Sequence, residues 1–228
     1  MRPKTHTDHS TIGWRPHPRA DLESHFDLRF RRLLSAQDWA QLPTAVKDRF
    51  TKRLRGGASV VYRGEVAETR MNALGYLFAQ VLRLVGGPLP IDRAAAGTAA
   101  VVTVTEDPKS NGQFWTRQYN RARGFPQVVQ SAKAFAGPTG LEECVGYGIG
   151  MSLRLRVEGE SLLFESDRYF VTVLGRRIYL PPILAPGQLV VGHHDKGDGR
   201  FEFTLDIRHP LFGELIFQRA VFTDWEGA

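Results

Sequence analysis

Trp115, Arg117 and Tyr119 stand at alternate positions, the spacing that puts side chains on one face of a β-strand. A guanidinium held among aromatic rings on a concave face must find an anion or complete hydrogen bonding, because an unpaired buried charge is costly. Three partners are open. One is an internal carboxylate, Glu65 or Glu68, on the strand before the first long apolar run. Another is the carboxylate or phosphate of a ligand. The third arrangement is an outward Arg117 in a cross-strand ion pair. The second pointed group is His193-His194-Asp195, with His209 further on. Neighbouring residues of a regular strand face opposite ways, so His193 and His194 cannot both ligate one ion, and no metal is expected. A turn at Gly197-Asp198 puts His194 on the face of Phe201, Phe203, Leu205 and Ile207, and His193 opposite Glu202 on the other face. His194 is therefore the histidine expected to touch a ligand or donate a proton. The candidate ligand-binding set is Trp115, Arg117, Tyr119 and His194, with catalytic residues unassigned.

Other chemical signals are weaker. Phosphate-loop, nucleophile-elbow, zinc-protease and C-x-x-C patterns do not occur in the chain. Gly146, Gly148 and Gly150 lack the following helix of a dinucleotide fingerprint, and they read as a sheet bend approached closely by a helix. The single cysteine, Cys144, has no histidine near it in sequence and reads as a small half-buried residue. No cofactor is expected.

The elements that must position these groups follow from composition and periodicity. The chain has 228 residues, 42% of them hydrophobic, and a net charge of +6. One cysteine rules out an intrachain disulfide and fits a reducing, cytoplasmic compartment. The N-terminal residues show no apolar signal segment, and no run reaches the roughly 18–20 apolar residues of a membrane span. The basic cluster of Arg29, Arg31, Arg32, Lys47, Arg49, Lys52, Arg53 and Arg55 reads as a solvated helical face. Aromatic residues do not interleave with it, so no nucleic-acid partner is expected.

Residues 1–20, which include His6, His9 and His17, read as a disordered tail, and residues 21–228 as one domain. Within it, 21–56 forms a helical layer, from Leu22, Phe26, Phe30, Leu33 and Leu34 at helical spacing, then Trp39 and Leu42, then Val46, Phe50 and Leu54. Residues 58–228 form a sheet plus a helix. Ala58–Thr69 is a strand, and Met71–Val85 is apolar around most of its circumference, ending at Gly86-Gly87-Pro88. A helix apolar over so wide an arc calls for a concave partner, so Leu77→Asp is expected to prevent folding. From Thr98 onward the period is two. A turn at Gly159-Glu160 sets Arg154 opposite Glu165 and puts Met151, Leu153, Leu155 and Val157 on one face with Leu162 and Phe164. Short connections favour antiparallel pairing. The predicted fold is α+β: a strongly curved antiparallel sheet or partial barrel, helix-grip or barrel-like, wrapped around one long apolar helix, with an N-terminal helical layer.

Several stretches also resemble a known family. They are RFRRLLSAQDWAQLPTAVKDRF at Arg29–Phe50, the F-W-x-R-x-Y of Phe114–Tyr119 with the following Arg121–Phe125 turn, RRIYLPPILAPG at Arg176–Gly187, and GRFEFTLDIRHPLFGELIFQ at Gly199–Gln218. From about Phe26 to Val221 the chain is similar to the bacterial domain of unknown function 4166 family. That resemblance implies a domain that occurs alone or behind a saccharopine-dehydrogenase-like domain, hence cytoplasmic small-molecule metabolism. It transfers no catalytic residue and no dehydrogenase activity. Three functions follow in order. The first is a binding module for a small amphiphilic or lipid-like anion between sheet and helix. The second is an enzyme on a small acidic substrate using His194 and Arg117, which requires both on one concave face. The third is a domain that docks a protein partner through the basic N-terminal helices.

Overall fold

The computed structural model describes residues 26–121 and 123–224, so the predicted N-terminal tail, its histidines and Leu22 lie outside the described residues. Eleven strands form one antiparallel sheet: β1 Ser59–Met71, β2 Ala99–Asp107, β3 Gly112–Tyr119, β4 Gln127–Ala134, β5 Glu142–Gly146, β6 Ile149–Glu158, β7 Ser161–Val173, β8 Arg176–Tyr179, β9 Gln188–Gly197, β10 Arg200–His209 and β11 Gly213–Asp224. The order is β6-β5-β4-β3-β2-β1-β11-β10-β9-β7, and β6 also pairs with β7, so ten strands close into a barrel while β8 extends β7 at one end. Closure leaves one inner and one outer face. The inner face carries Val102 and Val104 of β2, Trp115 and Tyr119 of β3, Phe164 of β7, Phe201 and Ile207 of β10, and Ile216 and Phe222 of β11, all buried. The outer wall is laced with ion pairs such as Arg70–Glu214, Arg154–Asp167 and Arg156–Glu165, the reverse of the lipid-facing apolar band of a membrane barrel.

Two short helices, α1 Ala36–Gln41 and α2 Thr44–Thr51, plug the end where β2 runs into β3. Ser35 caps α1, its hydroxyl accepting from the Asp38 amide at 3.0 Å, and Pro43 starts α2. The Leu22–Leu34 periodicity gives only a 3₁₀ turn at Arg31–Leu33 within the described residues. Phe50 of α2 enters the barrel and meets Phe164 at 5.5 Å, His193 at 5.2 Å and Trp115 at 6.5 Å between ring centres. The basic cluster is not simply solvated. Arg49 is inserted with its guanidinium 4.3 Å over the Phe201 ring, bonded to Asp195 at 3.1 Å and Asp224 at 3.4 Å.

The long apolar helix is not the centre of the fold. β1 runs on through Met71, and the helix α3 covers only Ala73–Leu82, with a 3₁₀ turn to Val85. Asn72 caps it by accepting from the Gly75 amide at 2.7 Å. It lies across the other barrel end, seated on β11 through Gly75 and Ala79, while Leu74, Leu77 and Val81 face solvent. Gly75 is required by contact: a Cβ there would lie 2.0 Å from the Leu215 carbonyl oxygen. The barrel interior is lined by strand side chains and plugged at one end by Phe50 instead. The Gly146–Gly148 segment is the turn between β5 and β6, and the expected close approach is there, a Cβ on Gly146 falling 3.3 Å from the Val85 carbonyl oxygen.

Leu77, 59% exposed, therefore tolerates a charge. Leu77→Asp should shift the unfolding free energy by about 0.5 kcal/mol or less. Phe201→Ala, at a fully buried site, should cost about 3–5 kcal/mol, and thermal melts of the two variants side by side check both.

Candidate functional site

The second end of the barrel holds a cavity of about 280 Å³ between the inner wall, α3 and the loop before β9. Phe78 and Leu82 of α3, Leu89 and Leu184 are part of its apolar lining. Leu184 lines it and is two-thirds exposed, so the cavity reaches the surface there.

One side of this apolar space is charged. Arg117 points inward from β3 on the face it shares with Trp115 and Tyr119, and all three line the cavity. Its anion is neither Glu65 nor Glu68. It is Glu143 of β5, 3.6 Å away, and Arg117 also donates to the Ser131 hydroxyl at 3.2 Å. Glu68 is spent on the outer wall with Arg70 and Arg219. Lys133 of β4 stands opposite Glu143 in register and donates to it at 3.0 Å. The side chains of Lys133 and Glu143 are 3% and 7% exposed.

Two cations thus share one carboxylate in a dry wall. Burial alone would raise Glu143, but the Lys133 and Arg117 charges and the hydrogen bonds from Ser131 and Lys133 hold it down at about 2. Lys133 is pushed below the ordinary lysine range, by burial first and then by Arg117, and Glu143 offsets this only in part. The cluster sets two basic groups against one carboxylate on the wall of the cavity. Tyr119 and Tyr169 also line the cavity, and burial raises both phenols, Tyr169 to about 12, so both stay protonated at neutral pH.

On the β11 wall Gln218 lines the cavity at 3% exposure, and its Nε2 has no hydrogen-bond acceptor among the described residues. Thr69, opposite it on β1, has an Oγ1 in the same condition. Buried polar atoms are normally satisfied, so the unpaired Gln218 amide on the cavity wall marks a place for a ligand or water.

The histidines take the reverse of their expected faces. Asp198 and Gly199, at φ 52° and 69°, make the turn, and a bulge between Arg200 and Phe201 slips the ladder by one residue. His193 therefore pairs with Phe203 and lies inside, among Phe50, Phe201 and Phe203. Burial, with Arg49 nearby, lowers it to about 3, so it is neutral. His194 pairs with Glu202 and lies on the outer face, bonded to Ser161 at 2.8 Å and Thr204 at 3.0 Å. His194 and Arg117 do not share a concave face, which removes the acid–base pairing the enzymatic reading required. The Gly159-Glu160 hairpin has the expected register, Arg154 opposite Glu165, but the ion pairs run diagonally to Asp167 and from Arg156. No cluster of three or more metal-ligating side chains occurs among the described residues.

Lys133, Glu143, Ser131 and Gln218 escaped the sequence reading. A signal existed for two of them, since Val129, Ser131 and Lys133 alternate on one face of β4. Glu143 becomes their partner only through the β4–β5 register.

The fold and the site together define a closed antiparallel barrel with an internal, cation-bearing apolar cavity. Residues 42–222 match the family model of a domain of unknown function, DUF4166, and the chain belongs to that family. No curated protein and no solved structure matches it.

Glu143→Gln leaves Lys133 and Arg117 without a counter-charge and should cost about 3–5 kcal/mol in a denaturant titration. The folded Glu143 sits at about 2 against an ordinary 4.5, so its contribution is complete above pH 4.5 and is lost as pH falls through 2. Acid unfolding followed by circular dichroism should show that loss in the parent and lack it in Glu143→Gln.

Proposed function

We propose that the protein binds a small amphiphilic anion inside the barrel. The observation that carries this reading is the Arg117–Glu143–Lys133 cluster, two cations on one carboxylate, set in the wall of an apolar cavity. A ligand carboxylate or phosphate would supply the missing negative charge and the acceptors for both cations. The tail would lie against Phe78, Leu82 and Leu89, where removing apolar surface from water favours it. A second polar group on the ligand would meet Gln218. A cavity of about 280 Å³ suits a single chain or ring system rather than a double-tailed lipid.

Native mass spectrometry of freshly purified protein, followed by organic extraction, tests this. The expected result is a retained amphiphilic anion, released or weakened at least tenfold by Arg117→Ala and by Lys133→Met. Retention unchanged in both variants, or retention of a cation, overturns the reading. For a protein purified empty, titration with a pyrene-labelled fatty acid gives the same comparison, and equal binding by parent and variants counts against it.

A further inference from the structure

The barrel has two unlike ends. Every connection at the cavity end (residues 72–98, 120–126, 147–148, 174–187 and 210–212) contributes apolar side chains to solvent. Thirteen of the eighteen exposed large apolar residues among the described residues fall in these segments. Leu84 is 81% exposed, Phe125 92%, Ile183 85% and Leu211 82%, and each comes from a different connection. α3 itself, ALGYLFAQVL, contains no charged residue, although Leu74, Leu77 and Val81 face outward. Such a concentration on one rim marks an interaction surface.

Charge selects the partner. The same segments contain six arginines, Arg83, Arg93, Arg121, Arg123, Arg176 and Arg177, and one acidic residue, Asp92, so they hold +5 of the chain's +6. Glu142 of β5 pairs with Arg177 at 2.5 Å, and the neighbouring strand-end charges Arg70, Arg208 and Glu214 pair with one another on the outer wall. Arg121, Arg123 and Arg176 are exposed. Apolar tips on separate loops among arginines match an anionic lipid surface, where the tips enter the acyl boundary and the guanidinium groups meet the head groups.

We infer that the cavity end of the barrel docks on an anionic membrane surface, and that the amphiphilic anion passes between that surface and the cavity past α3 and Leu184. No helix among the described residues is long and apolar enough to cross a membrane, and the barrel's outer wall carries ion pairs rather than an apolar band, so the contact proposed is peripheral. The passage rests on the amphiphile-binding reading, whereas the docking rests on the rim alone.

Flotation of the full chain with vesicles of phosphatidylcholine, with and without phosphatidylglycerol, separates the two. The parent should float with the phosphatidylglycerol vesicles and lose that binding roughly tenfold or more with added salt. Leu84→Ser combined with Ile183→Ser, and separately Arg121→Ser with Arg123→Ser, should each cut it by a similar factor. All four positions are exposed, so both variants should melt as the parent does. The pyrene-labelled fatty acid, offered in solution, should bind the rim variants normally. The cavity variant Lys133→Met should float normally but not take up the probe. Flotation without probe uptake by the parent keeps the docking and overturns the cavity reading. Probe uptake without flotation keeps the cavity and overturns the docking. Equal flotation of rim variants and parent also overturns it, as does a concentration-dependent dimer abolished by the same substitutions without vesicle binding, which would assign the rim to a second copy of the chain.

Discussion

Closure of the barrel through β6 and β7 is the constraint on which the rest depends. Once ten strands close, each has a single inner face, and their ring is wider than the eight-stranded barrel that strand side chains can fill by themselves. Something must occupy the surplus. At one end it is α2, whose Phe50 reaches in to Trp115, Phe164 and His193. At the other the space stays open beneath α3 as the cavity. The asymmetry between a plugged end and an open end follows from where the two helical segments join the sheet.

The same closure makes the charged wall possible. β3, β4 and β5 are consecutive neighbours: Lys133 and Glu143 pair directly, and Arg117, paired with Val129 further along β4, reaches Glu143 with its long side chain. An isolated lysine on an inner barrel face would be costly. Glu143 compensates Lys133 and Arg117 together, and it is held strongly acidic by doing so. A buried cluster of two basic groups and one carboxylate is a poor device for stability, since such a site could be filled with apolar residues at little cost. It is a good device for receiving an anion. Gln218, its amide nitrogen left unpaired on the cavity wall, fits the same purpose better than it fits a packed core.

Much of this was legible in the residues. Alternation after Thr98 with short connections pointed to an antiparallel sheet, and the spacing of Trp115, Arg117 and Tyr119 put them on one face, while which way that face points was decided by the closed barrel. Turn residues placed the β6–β7 hairpin correctly. Outcomes that hang on one residue of register were beyond the sequence. A single bulge after Arg200 exchanged the faces of His193 and His194. The apolar arc of Met71–Val85 was read correctly as composition and wrongly as burial, because hydrophobicity records what a segment could cover and not what stands next to it. Gly75 and Ala79 set the helix on β11 and leave Leu77 outside. Non-local pairs were equally hidden. Arg117 finds Glu143 rather than Glu65 or Glu68 because Glu65 is exposed and Glu68 lies on the outer wall, although β1 and β5 are equally near β3 in the ring. Local chemistry thus decided which residues are strand, turn and cap, while closure and register decided which polar groups meet, since a meeting of groups far apart in the chain depends on every ladder between them.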